Sequence, residues 1–197
     1  MNIFEDFFRD LDTQWRWPVD VKIRLRLIGS AALMLQTGYE RGTKDSDVLE
    51  TANLTDEIKG GLLSVAGEGS ELFKPHRLYL EIVARWIPFL PQERVWHPLA
   101  GLNADLRRFE IEVLDVVDVV VSKFKRAHAD DMADVAAMID REIVPHARLV
   151  ERFRSAVDVY SGDARAYDLP RYVAALHRAE RDYFGVPETE IELPEWI

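Results

Sequence analysis

The sequence predicts a mixed α/β fold, a small twisted mixed sheet flanked by helices and followed by a C-terminal helical part. Three observations predict it. Short alternating runs at Ile23 to Ile28, Leu78 to Val83 and Phe109 to Val113 have the period of half-buried strands. Apolar stripes at helical spacing lie between these runs and dominate from Asp115 onward. A Gly-Ser turn at Gly29-Ser30 joins the first strand to Ala31 to Leu35, a run of strong helix formers.

In chain order, Asn2 to Leu11 reads as a helix behind an Asn cap, with Ile3, Phe4, Phe7, Phe8 and Leu11 on one stripe and Trp17-Pro18 ending it. In the first strand Ile23, Leu25 and Leu27 oppose Lys22, Arg24 and Arg26, and the run stops at Gly29. Ser30 is the expected N-cap of the next helix and Gly38 its C-cap, so free N–H groups at the helix start offer an anion site. Asp45 to Leu49 reads as a second strand, on which Asp45 and Asp47, two residues apart, share a face. A helix over Asn53 to Val65 follows and stops at Gly67-Glu-Gly-Ser70; the strand from Leu78 then carries Glu81.

Trp86 to Asn103, rich in proline and aromatics, reads as an irregular surface segment with one helical turn, long enough to suggest binding. Phe109 to Val113 sets Glu110 and Glu112 opposite its apolar residues. Helices are expected over Val116 to Ala127, Asp131 to Arg141, His146 to Tyr160 and Leu169 to Phe184, then an extended or flexible acidic tail from Val186. The domain division expected from this pattern is a core over 1–140 and a C-terminal helical part with its tail over 141–197.

Composition narrows the chemistry. With 197 residues, 48% of them hydrophobic, the chain can bury a real core. The absence of cysteine excludes disulfides, thiolate metal sites and a cysteine nucleophile, so any metal is held by oxygen or by the five histidines, which show no metal spacing. No apolar run approaches the roughly 18 residues of a membrane helix, and the first twelve residues carry acids in place of a basic leader. The expectation is a cytoplasmic protein with no membrane partner. A net charge of −10 argues against a surface that binds nucleic acid everywhere. Basic groups at Lys22/Arg24/Arg26, Arg107/Arg108 and Lys123/Lys125/Arg126 still leave room for a local RNA groove.

Gly29-Ser30 alone is weak, because many strand-to-helix turns need a permissive glycine and a cap. Asp45-x-Asp47 alone is also weak. In order, with about fifteen residues between, they are far more specific. Two carboxylates held side by side repel, and a hard divalent cation relieves the repulsion; beside a phosphate-binding turn this suggests nucleotide chemistry.

Gly29-Ser30, a short helix and then Arg41-x-Thr43-x-Asp45-x-Asp47 resemble the signature of the polymerase-β-type nucleotidyltransferase superfamily, especially its AbiEii-like branch of toxin and abortive-infection proteins. The block from Val113 through Ser122-Lys123 to Asp131 and Asp134 resembles that branch too, so the likeness runs from about Arg24 to Ile139. Ser46 stands where the branch usually has an aliphatic residue, and Asp130 where it has lysine.

The resemblance implies a Mg2+-dependent enzyme that moves a nucleoside monophosphate from a nucleoside triphosphate (NTP) to a hydroxyl of RNA, such as the tRNA 3′ end, or of protein. It implies the toxin-like part of a toxin–antitoxin or phage-defence pair, with a cognate antitoxin as partner. Asp45 and Asp47 would hold metal, Gly29 and Ser30 the triphosphate, and Arg41 and Thr43 the phosphate end or the strand itself. An adjacent strand supplies a third carboxylate, with Glu81 first choice and Glu110 and Glu112 behind it. Lys123 would face the phosphates with Asp131 in the same site, and its replacement by alanine is expected to leave folding nearly unchanged. The alternative is an inactive nucleotidyltransferase-fold binding or antitoxin module.

Overall fold

The computed structural model describes residues 3–18, 20–42 and 44–197. Backbone contacts gather the chain into two units, Met1–Ile87 with Trp96–Leu114, and Pro88–Val95 with Asp115–Ile197. The chain leaves the sheet at Leu114, and the helices after it fall in the second unit.

The first unit holds a five-stranded mixed sheet. Its strands are β1 (Ile23–Leu27), β2 (Asp45–Leu49), β3 (Tyr79–Val83), β4 (Trp96–Pro98) and β5 (Phe109–Leu114), in spatial order β3-β2-β1-β5-β4. β1 runs parallel to β5 and antiparallel to β2, β2 runs parallel to β3, and β4 runs antiparallel to β5. The pleat sorts the side chains. Ile23, Leu25 and Leu27 lie beside Phe109, Ile111 and Val113 on one face, and the pairing of Leu27 with Val48 puts Ser46 and Val48 there too. The opposite face carries Arg24, Arg26, Glu110, Glu112, Asp45, Asp47 and Glu81.

Helix α1 (Ile3–Gln14) buries Phe4, Phe7, Phe8 and Leu11, and Trp15 just beyond it meets Phe109 edge-on at 5.2 Å. Asp12, also buried, accepts hydrogen bonds from the backbone N–H groups of Arg107, Arg108 and Phe109, tying the end of α1 to the start of β5. The expected Asn2 cap lies outside the described residues. Helix α2 (Gly29–Thr37) ends at Gly38, whose φ of 62° is left-handed, as a glycine C-cap requires. Helix α3 (Asp56–Ala66) is capped by Thr55, and a turn of helix, α4 (Phe73–His76), precedes β3.

Two expectations are corrected in this unit. The segment expected to be irregular holds β4 and helix α5 (Ala100–Asp105). A three-residue strand ending in Pro98 falls below any detectable period; it forms because β5 has a free edge, where proline's missing N–H costs little. Ser30 is not a cap: α2 begins two residues earlier than that cap implies, at Gly29, with Ile28 in the cap position and no side-chain cap bond.

The second unit is helical, with α6 (Val116–Lys123), α7 (Ala129–Asp140), α8 (His146–Tyr160) and α9 (Leu169–Ala179), the last continuing into a π-helical turn at Glu180–Phe184. Phe89 packs against Phe153, Tyr160 and Tyr172 with ring centroids 5.0 to 5.2 Å apart. Asp118, fully buried, takes two hydrogen bonds from Arg152 at 2.6 and 2.7 Å, and Arg152 also donates to the Glu93 carbonyl at 2.6 Å. The acidic tail is extended, but it is tied down. Thr189 donates its N–H to the buried Glu180 carboxylate at 2.9 Å, and its carbonyl oxygen lies 3.0 Å from His177 Nε2.

Ser46 is a polar residue on the apolar face of β2. Its side chain is fully buried and its Oγ has no hydrogen-bond partner. A buried unpaired hydroxyl costs about 1–3 kcal/mol. Ser46→Ala is therefore expected to stabilise the protein by about 1 kcal/mol, read as a rise of roughly 2–4 °C in melting temperature.

Candidate active site

The site forms where β1 ends, because there the chain must turn away from a neighbouring strand that carries acids. The Ile28 N–H donates to the Asp47 carbonyl at 2.9 Å, so β2 still flanks the chain as it leaves the sheet. At Gly29 the backbone takes φ +66°, which glycine adopts without the penalty of a side chain. A Cβ at that position would lie 2.6 Å from Asp47 Oδ2. Glycine is thus needed twice, for its conformation and for the space that the carboxylate fills.

The parallel register of β2 and β3 sets Glu81 directly beside Asp47, and Tyr79 beside Asp45. Asp45, Asp47 and Glu81 each offer a carboxylate oxygen within 4.8 Å of the other two. Asp45 and Asp47 are half-buried and Glu81 is exposed. Three oxygen donors at this separation, with no sulfur or nitrogen among them, fit a hard cation such as Mg2+. The rival acids are engaged elsewhere. Glu110 accepts from Arg24 at 2.8 Å and Glu112 from Arg26 at 2.9 Å. The same pairs neutralise part of the basic cluster that leaves room for an RNA groove.

Tyr79 and Glu68 are residues that the sequence reading missed. Burial first, then the charges of Asp45, Glu68, Glu81 and Asp47, push the Tyr79 phenol above its ordinary pKa. The signal for Tyr79 was its place two residues before Glu81 on the same strand face. Glu68 sits between Gly67 and Gly69 in a loop and carries no such signal.

Ser30 is the second residue of α2. Arg41 lies half-buried in the connection to β2, and Thr43 lies outside the described residues. Lys123 and Asp131 belong to the helical unit, where the structure brings them to each other. Lys123 Nζ lies 2.6 Å from Asp134 Oδ2 and 3.3 Å from Asp131 Oδ1, and Arg126 joins Asp131 at 2.9 Å. Asp131 lies inside the first turn of α7, which His128 precedes as the cap residue. Its burial favours the neutral acid, but Arg126 and Lys123 outweigh this and hold its pKa below the ordinary carboxylate value.

A family model described as "Nucleotidyltransferase of unknown function (DUF6036)" matches residues 8–168, well over half of the chain. The chain belongs to this nucleotidyltransferase family. No curated protein and no solved structure matches it. The match spans both the sheet with its carboxylates and helices α6 to α8 of the second unit. The mixed sheet flanked by helices is the architecture expected of a nucleotidyltransferase-type fold.

Gly29→Ala in this DUF6036 protein is expected to cost about 1–2 kcal/mol for the left-handed φ. The new methyl group should also turn the Asp47 carboxylate aside. Thermal melts joined to a Mn2+ titration check this; the expected result is a folded protein with weakened metal binding.

The near-neutral folding effect expected for Lys123→Ala is corrected by the structure, since the ammonium is 3% exposed between Asp131 and Asp134. Removing one partner from a buried ion pair leaves the other charges uncompensated. Lys123→Ala should lose about 3–5 kcal/mol, measured by denaturant unfolding.

Proposed function

We propose that this protein is a metal-dependent nucleotidyltransferase that moves a nucleoside monophosphate from an NTP to an acceptor hydroxyl of RNA or protein. The observation that carries the reading is the clustering of Asp45, Asp47 and Glu81 within 4.8 Å, on strands beside a glycine turn that leaves room for Asp47.

In this reading the three carboxylates hold Mg2+, and the first N–H groups of α2 at Gly29 and Ser30 take the triphosphate. Bound there, Mg2+ would supply charge neutralisation for the phosphates and lower the pKa of the acceptor hydroxyl. The acceptor oxygen forms a bond to the α-phosphorus, the bond to the bridging oxygen breaks, and pyrophosphate departs with the electron pair. The acceptor's proton passes to solvent. Glu81 completes the set from its neighbouring strand, and the resemblance assigns Arg41 and Thr43 to the phosphate end or to the strand itself.

Placing Lys123 and Asp131 in the same chemistry rests on the resemblance to the AbiEii-like branch. So does a toxin-like role beside an antitoxin. The presence of three acids within reach of one another favours an active enzyme over an inactive module.

Asp45→Asn with Asp47→Asn tests the reading. The variant keeps side-chain size and removes two charges, so without ligands it should melt at or above the wild-type temperature as the repulsion disappears. Mg2+ plus NTP should stabilise wild type, since a ligand that binds only the folded state raises stability by mass action, and should not stabilise the variant. Transfer from an α-labelled NTP should fall at least ~100-fold.

A further inference from the structure

The three carboxylates have two flanks, and the structure makes them chemically different. On the β1 flank the start of α2 closes on Asp47, with Gly29 so near that even a methyl group would meet the carboxylate. On the other flank lies β3, the edge strand of the sheet among the described residues. In phosphoryl transfer the attacking and leaving oxygens stand roughly in line across the reacting phosphorus. If the triphosphate takes the α2 flank, pyrophosphate leaves on that side and the acceptor hydroxyl arrives from the side of β3.

Tyr79 is the polar side chain placed to meet it. It pairs in register with Asp45, and it shares a strand face with Glu81 two residues on. Adjacent strands lie about 4.8 Å apart, so the residue is a direct neighbour of the carboxylates. Its ring is fixed edge-on by Phe73 at 6.0 Å, and the residue remains partly exposed. No described residue shares a hydrogen bond with its hydroxyl. A phenol fixed in direction, with no hydrogen-bond partner among the described residues, is a donor awaiting an acceptor atom.

We propose that Tyr79 is the acceptor-side positioning residue of this site, its hydroxyl donating a hydrogen bond to the molecule whose hydroxyl group receives the nucleotide. The proposal rests on the nucleotidyltransferase reading above. Tyr79 forms no bond to the transferred group; it orients the incoming oxygen against the α-phosphorus.

The test compares the full-length wild type with Tyr79→Phe, which keeps the ring and its contact with Phe73. Two quantities are read: the affinity for NTP with Mg2+ by equilibrium dialysis, and label transfer from α-labelled NTP into total cellular RNA and total cellular protein at varied extract concentration. The expected result is unchanged nucleotide affinity and melting temperature. The half-saturating acceptor concentration should rise, or the maximal transfer rate fall, by roughly tenfold, the scale of one hydrogen bond.

Equal transfer by both proteins overturns the proposal, as does a loss of nucleotide affinity in the variant, which would put Tyr79 on the triphosphate side. Label found on the chain itself and lost in Tyr79→Phe overturns it too, by making Tyr79 the acceptor. Wild type that binds NTP but labels neither extract also overturns it, since no acceptor is then served. Wild type that binds no NTP sinks the underlying function instead, so the two failures are distinguishable.

Discussion

The close approach of Gly29 to the Asp47 carboxylate is the constraint around which the site is built. β1 must end beside β2 for the Ile28 N–H to reach the Asp47 carbonyl, and the chain must then turn at once into α2. Only a residue without a side chain can turn there, at φ +66°, without striking Asp47. From this contact follow the direction of α2 and the burial of its Ala31, Ala32 and Leu33.

The sheet sorts charge by face. Apolar residues from β1, β2 and β5 share one side, and the other carries the cations of β1 and the anions of β2, β3 and β5. On β1 and β5 they cancel pairwise, Arg24 with Glu110 and Arg26 with Glu112. The β2 and β3 acids instead cluster with one another, a costly arrangement in the absence of a cation. The proposed function assigns that second half of the face to Mg2+.

The helical unit handles buried charge differently. Asp118 meets Arg152, and Lys123 meets Asp131 and Asp134, each group nearly or fully out of water and hydrogen-bonded. Such pairs add little net stability, but breaking one is expensive, so they specify which helices meet. Lysine in a helix beside other cations reads in sequence as a solvated face. Its partners lie eight and eleven residues on, across a turn that only the folded chain closes.

Periodicity alone made β1, β3, β5 and the long helices legible, because each buries one face and repeats every two or 3.6 residues. The glycine turn and the shared face of Asp45 and Asp47 were legible for the same local reason. β4 was not, being three residues long and stabilised only by a neighbour distant in sequence. Nor could sequence choose among Glu81, Glu110 and Glu112, since all three sit on alternating strands with the same local pattern. The tertiary structure decided which of them stand together: strand order placed β3 against β2 and β5 against β1, so Glu81 stands beside Asp47 while Glu110 and Glu112 stand beside arginines. Local sequence determines which face a side chain takes, whereas the partner it meets there depends on strand order, which is a property of the whole fold.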